Sequence, residues 1–265
     1  MLPIYDDITF LELLEKGGRN KPWLIRALIN DTYEEYVLKL FSQEAELDHS
    51  YTAAEVFGSV LAAEFDLSTP EVALFELNHD NVFSFPPDQQ AEIEEKGFGI
   101  KFGCKYYRGS LAYSSQIHKD QIKKRVGIDT LFAFDQLINN VDRQRHKPNV
   151  LYRDEGVMLI DHELGFRNMK EAQTNIMNSN PGNPLIHGHI CFEMLKRANN
   201  SSKQAYFQTF EELLRTLDTD ILDPFHQQLQ DFDVHSGNFG EIKSFLEFAK
   251  ANHGLFIRVL KSAIS

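Results

Sequence analysis

The sequence predicts an α+β chain, with a small β-rich first lobe and a larger, mostly helical second one. Three observations carry that expectation. Two apolar-rich segments, "WLIRALIN" from Trp23 and "EEYVLKLF" from Glu34, flank the turn-like "NDTYE". A breaker-rich stretch, "SFPPDQQ", interrupts the pattern at 84–90. Beyond residue 185, apolar residues recur at helical spacing to the C-terminus. The expected division is a first lobe at 1–85 and a second at 86–265, both within one domain spanning 1–265.

Element by element, 4–16 reads as a short helix, because Ile8, Leu11 and Leu14 fall about one turn apart. Glu15 to Trp23 is a loop with the paired glycines Gly17 and Gly18 beside Arg19 and Lys21. The two antiparallel strands follow. Thr52 to Phe65 reads as a helix with Val56, Val60, Leu61 and Ala63 among its apolar positions and Thr52 as its cap. "LSTPEVALFEL" is a further strand with a proline at its entrance. Residues 78–100 read as loop. Residues 128–140 form a helix with a broad apolar face, Ile128, Leu131, Phe134, Leu137 and Ile138, and Asp129 as N-cap. Val150 to Arg153 and Val157 to Ile160 then make a hairpin around Asp154-Glu155-Gly156. The helical tail comprises "ICFEMLKR", "AYFQTFEELLRTL", "PFHQQLQDF" and "EIKSFLEFAKANHGLFIRVLKSAI", whose many phenylalanines suit a helix-bundle core.

A chain of 265 residues can bury a substantial core, and 42% hydrophobic with 25% charged residues is ordinary for a globular protein. No apolar run approaches the roughly 20 residues that span a bilayer. The N-terminus lacks the basic start and apolar middle of a signal peptide, so a cytoplasmic location and no membrane partner are expected. A net charge of -12 argues against direct nucleic-acid binding. The local picture differs: Lys123, Lys124, Arg125, Arg143, Arg145, His146 and Lys147 make the middle of the chain basic, which suits a small anionic ligand such as a nucleotide. Cys104 and Cys191 form no CxxC pair and read as reduced, partly buried thiols.

The most informative stretch runs from Asn139 to Phe166, "NNVDRQRHKPNVLYRDEGVMLIDHELGF". Asp142 lies in a loop after a helix, Asn149 follows, and the hairpin returns Asp161 close to Asn149. Singly, such residues are most often caps and turns. In this order, with a two-strand spacer, they supply what phosphoryl transfer asks of a protein. That is a carboxylate to accept or orient a hydroxyl proton, and oxygen ligands for Mg2+. A cation for phosphates belongs upstream. Lys39 shares a strand face with Val37 and Phe41, and an inward-facing lysine needs a partner, for which Glu55 on the following helix is a candidate. Glu34, Glu35 and Glu64 compete for that role, and an edge-strand lysine with its head in solvent is the plainer alternative. Gly17, Gly18 and Arg19 would let backbone amides approach phosphate oxygens, although the motif is neither a Walker loop nor GxGxxG.

At these residues the chain resembles the HipA-like kinase family, in particular its short single-domain group. "GGRNKPWLIRALINDTYEEYVLKL" resembles the glycine loop and lysine strand. "AAEVFGSVLAAEFDLSTPEVALFEL" resembles the helix with its Glu and the next strand, and "FDQLINNVDRQRHKPNVLYRDEGVMLIDHELGF" the catalytic loop and metal-binding Asp. The resemblance implies a two-lobed protein-kinase-like fold using ATP and Mg2+. Asp142 then matches the catalytic Asp, Asn149 and Asp161 the metal ligands, Lys39 the ATP-phosphate lysine and Glu55 its partner. It further implies a protein Ser/Thr substrate and, for members that act as toxins, an antitoxin-like regulatory partner. The chain is not expected to have room for the extra N-terminal subdomain of the larger HipA toxins, which weakens the expectation of both a toxin role and the usual antitoxin contact. Two departures matter. Five positions after the catalytic Asp, where the larger HipA proteins and many kinases carry the metal Asn, this chain has Lys147; the nearest Asn is Asn149. Either the loop bulges by two residues, or Lys147 fills the metal position and activity is impaired. Also, Asp161-His162-Glu163 replaces Asp-Phe-Gly, which brings His162 or Glu163 near the metal without making either a ligand.

The competing readings are a pseudokinase that serves as a nucleotide-binding or interaction module, and a metal-dependent phosphohydrolase, which would not need the Lys39 strand. His187 to His189 lacks a spaced third metal ligand and reads as a helix start near the surface. Tyr106 to Ser110 reads as a loop before the catalytic helix. No Ser-His-Asp arrangement has identifying context.

Overall fold

The structure is a computed structural model of the chain and describes residues 1–14, 21–112, 125–153, 156–183 and 185–265. It divides into two compact units. The first takes in Met1–Phe57, Pro70–Gly109 and Asp223–Gly237; the second Gly58–Thr69, Ser110–Leu222 and Asn238–Ser265. Among the described residues no helix is long and apolar enough to cross a membrane.

The first unit is built on a six-stranded sheet in the order β1-β5-β6-β4-β3-β2. Its strands are β1 (Ile4–Tyr5), β2 (Ile8–Leu13), β3 (Trp23–Ile29), β4 (Thr32–Lys39), β5 (Val72–Leu77) and β6 (Gly99–Lys105). The β3–β4 hairpin turns at Asn30 and Asp31, with φ of 49° and 61°. These are residue types that tolerate the left-handed region a tight hairpin needs. One face carries a core of Trp23, Ile25, Ala27, Tyr36, Leu38, Leu40, Ala73 and Phe75, closed by Val82, Phe85 and Ile93.

The expected helix over 4–16 is instead β1 and β2. Ile8 and Phe10 alternate onto the core, and β2 hydrogen-bonds antiparallel to β3 with a register shift between Phe10 and Glu12. Leu11, whose spacing suggested a helix, lies at that irregularity and is exposed. A neighbouring strand thus outweighs a weak local helical preference. The stretch 78–100, expected as loop, holds α3 (His79–Val82), α4 (Pro87–Lys96) and the start of β6. Asn78 forms a capping box on α3, and prolines open α4 rather than break it.

Two helices precede β5: α1 (Gln43–His49), which the sequence reading passed over, and α2 (Tyr51–Glu64). Thr52 does not cap α2 with its side chain; its N–H and hydroxyl both donate to Glu46 of α1. Helix α10 (Asp223–Asp231) joins this unit through reciprocal bonds of 2.8 Å between the Gln228 amide and the Leu2 backbone.

The second unit holds the three-stranded sheet β7 (Leu111–Ala112), β8 (Val150–Arg153) and β9 (Gly156–Leu159). Its helices are α5 (Ile128–Leu137), α6 (Met169–Met177), α7 (Phe192–Lys196), α8 (Asn200–Ala205), α9 (Gln208–Thr216), α11 (Phe239–Ala251) and α12 (His253–Ala263). The last two read in the sequence as one run but break at Asn252. The phenylalanines form the core: Phe65 stacks on Phe210 at 4.7 Å, and Phe210 on Phe256 at 6.0 Å. Asp129 does not cap α5. The N-cap is Gly127, and the Asp129 carboxylate accepts the Phe207 N–H at 2.8 Å. Ile128 through Leu137 are buried nearly throughout.

Candidate active site

In the first unit, Lys39 ends β4 and its Nζ donates to Oε1 of Glu55 on α2. The Glu55 side chain is almost wholly buried and that of Lys39 is 18% exposed. A buried carboxylate needs a cation, so the pair is mutually required. Of the competing carboxylates, Glu35 bonds Arg108 and Glu34 bonds Lys105. Gly17, Gly18 and Arg19 lie outside the described residues.

In the second unit the loop after α5 is built on a buried polar cluster. Asp135, Asn140, Arg143 and His189 are all buried. Asp135 Oδ2 accepts from Arg143 Nε at 2.7 Å and from His189 Nε2 at 2.8 Å, and Oδ1 from Asn140 Nδ2 at 3.0 Å. Burial opposes ionising Asp135, but Arg143 and His189 together outweigh it and hold the carboxyl below the usual carboxylate range. His189 Nδ1 accepts the Cys191 N–H at 3.1 Å, which selects the Nε2–H tautomer. His189 is therefore a core residue, not the surface helix start expected of it; His187 is the exposed member.

This cluster holds the loop that carries Asp142 in place. Asn140 Oδ1 accepts the Asp142 N–H at 3.0 Å. Arg143 Nη1 reaches the carbonyls of Asn149 at 2.5 Å and Ile160 at 3.3 Å. One guanidinium thus fixes both ends of the hairpin, and Ile160 N–H returns to Asn149 O at 3.1 Å. Strands β8 and β9 pair from Val150–Leu159 to Arg153–Gly156; the turn residues Asp154 and Glu155 lie outside the described residues. Leu159 N–H also bonds Ser68 O at 2.8 Å. Gly58 of α2 leaves room for His162, since a Cβ there would lie 2.5 Å from the His162 Cβ.

Asp142, Asn149 and Asp161 come together around Lys147. Asp142 Oδ2 accepts from Lys147 Nζ at 2.5 Å and from Asn149 Nδ2 at 2.9 Å. Lys147 Nζ also lies 3.0 Å from Asp161 Oδ2. Burial opposes the charge on Lys147, but Asp161 and Asp142 outweigh it and raise the ammonium above its ordinary value. The chain reverses in a tight turn: Gln144 and Lys147 exchange backbone hydrogen bonds, each 3.1 Å long. That turn takes up the two extra residues, so Asn149 reaches Asp142 while Lys147 also stands among the carboxylates. The two-residue bulge that the spacing allowed is present, and Lys147 lies beside the same carboxylates.

Asn149 and Asp161 adopt left-handed backbone, with φ of 50° and 64°. A carboxylate oxygen of Glu163 lies within 4.8 Å of one of Asp161. The donors suit Mg2+: two carboxylates and an amide that spends its Nδ2 on Asp142 and keeps its oxygen for a cation. The sequence does not single out Asp135, offers His189 only as part of a surface helix start, and gives Arg143 no structural part.

The HipA-like kinase family pattern matches residues 11–231. Among solved structures, that of a Helicobacter pylori proinflammatory kinase, CtkA, is similar at 13% identity with a TM-score of 0.49, over 100% of this chain and 98% of that one. No curated protein matches the chain. The family match takes in Lys39, Glu55, Asp142, Asn149 and Asp161, and with its α+β, kinase-like fold the chain belongs to the HipA-like kinase family.

Proposed function

We propose that the chain is an ATP- and Mg2+-dependent phosphotransferase acting on Ser or Thr hydroxyls of a protein. The observation that carries this reading is that Asp142 and Asp161 share one cation, with the Asn149 amide on the same Asp142 oxygen. Asp142 orients the acceptor hydroxyl and takes its proton; its Oδ1 has no partner among the described residues. Asn149 and Asp161 would hold the metal, which when bound would neutralise charge on the phosphates. Lys39, kept in place by Glu55, binds the α- and β-phosphates, with Gly17, Gly18 and Arg19 as further ATP-binding residues. The first unit is the nucleotide-phosphate lobe and the second carries the catalytic loop. A cytoplasmic setting and an antitoxin-like regulatory partner go with this reading.

The test is transfer of label from γ-labelled ATP to the protein itself or to a partner, in wild type, Asp142→Asn and Asp161→Asn. Label that both substitutions abolish supports the assignment; label that persists in either removes that residue from it. The position of Lys147 favours a second reading, a pseudokinase, which predicts nucleotide-dependent thermal stabilisation without label in wild type.

A further inference from the structure

Lys147 stands at the position where the kinase pattern expects a metal-binding asparagine. An ammonium has three donors and no lone pair, so it cannot ligate a metal and can only stand in for one. Its place is set by the backbone as well as by its flexible stem: the Gln144–Lys147 turn is closed at both ends, and Gln144 N–H also bonds Asp142 O at 2.7 Å. From there Nζ bridges Asp142 and Asp161 at 2.5 and 3.0 Å. Protein kinases hold two Mg2+ ions with the corresponding Asp and Asn. Here a fixed positive charge already occupies part of that space, and Asp142 Oδ2 is engaged by two donors.

We propose that Lys147 is the second cation of this site, replacing one divalent ion, so that the chain takes one divalent ion per bound nucleotide instead of two. The inference rests on the kinase reading above. The remaining ion falls to Asp161 and the amide oxygen of Asn149.

The test counts Mn2+ bound per bound non-hydrolysable ATP analogue, by electron paramagnetic resonance on the full chain. Wild type, Lys147→Asn and Lys147→Met are compared. The expected counts are one ion in wild type and two in both variants. The second ion should bind about tenfold or more tighter than in wild type once the neighbouring unit charge is gone. Two ions in wild type, or one in all three proteins, overturn the inference and leave the kinase reading standing. A second ion in Lys147→Asn but not in Lys147→Met also overturns it, because the new amide would then account for the gain. Failure of wild type to bind nucleotide overturns both. A wild-type count of two overturns the inference even if a variant does not fold.

Discussion

Two carboxylate–cation clusters flank the end of α5, and they differ in what surrounds them. Asp135, Arg143 and His189 are sealed from solvent, and both Asp135 oxygens are occupied. Asp142, Asp161 and Lys147 are partly exposed, and two acids share one lysine. The first cluster is electrically closed and serves as a brace. The second is reached by solvent, as its proposed part in phosphoryl transfer requires. Similar residue types a few positions apart thus divide into brace and proposed site according to burial.

The contrast is most exposed to failure at Arg143. Arg143→Met leaves Asp135 buried with its main counter-charge gone, and is expected to cost about 3–5 kcal/mol in urea unfolding. An unchanged midpoint would mean that the buried cluster is not a brace. Asp142→Asn should do the opposite. Stability should stay within about 1 kcal/mol of wild type, as for a partly exposed pair. Phosphoryl transfer should fall by about 10²–10⁴-fold, the usual worth of a positioned acid–base group. A large stability loss there would erase the distinction between the clusters.

Gly58→Ala sharpens the comparison from outside both clusters. Its new methyl meets the His162 side chain, which follows Asp161 directly, and the expected cost is about 1–3 kcal/mol of overpacking. Transfer should fall by more than unfolding accounts for, because Asp161 shifts with His162. The smallest effect concerns acid. Asp135 is held below its ordinary value, so its contribution is fully present above the unfolded pKa and is lost as pH falls through the folded one. The acid limb of the stability curve should therefore be shallower in Asp135→Asn, by up to about 1.4 kcal/mol per pH unit, although that variant is less stable at neutral pH. Parallel acid limbs would show that Asp135 does not titrate with unfolding.

The hairpin bearing Asp161 was legible in the sequence because its apolar runs and glycine turn are local signals, and the β3–β4 hairpin for the same reason. Strand β6 was not. "GIKFGCK" is buried along most of its length, so it shows no clean alternation, and Gly103 lies under the Phe75 ring where any side chain would clash. Arg143 and His189 were hidden for another reason. Buried and exposed arginines look alike in a list of residues, and the difference lies in partners supplied from α5 and from the segment after Gly188. The grouping of Asp142, Asn149 and Asp161 could be anticipated from order and spacing. The presence of Lys147 among them could be raised only as an alternative, since the backbone turn that carries it there has no distinctive composition.

The left-handed backbone at Asn149 and Asp161 bears on how such a chain can drift. Most side chains resist that conformation, while Asn, Asp and Gly accept it readily. Both positions are therefore constrained by backbone shape as well as by the ligand role proposed for them, whereas Asp142 and Lys39 have no positive φ. A lineage that gave up catalysis would be free to change Asp142 or Lys39 first and would keep Asn, Asp or Gly at 149 and 161 long afterwards. Retention of those two residues in a descendant would record the shape of the hairpin, and only Asp142 and Lys39 would report whether selection for turnover had continued.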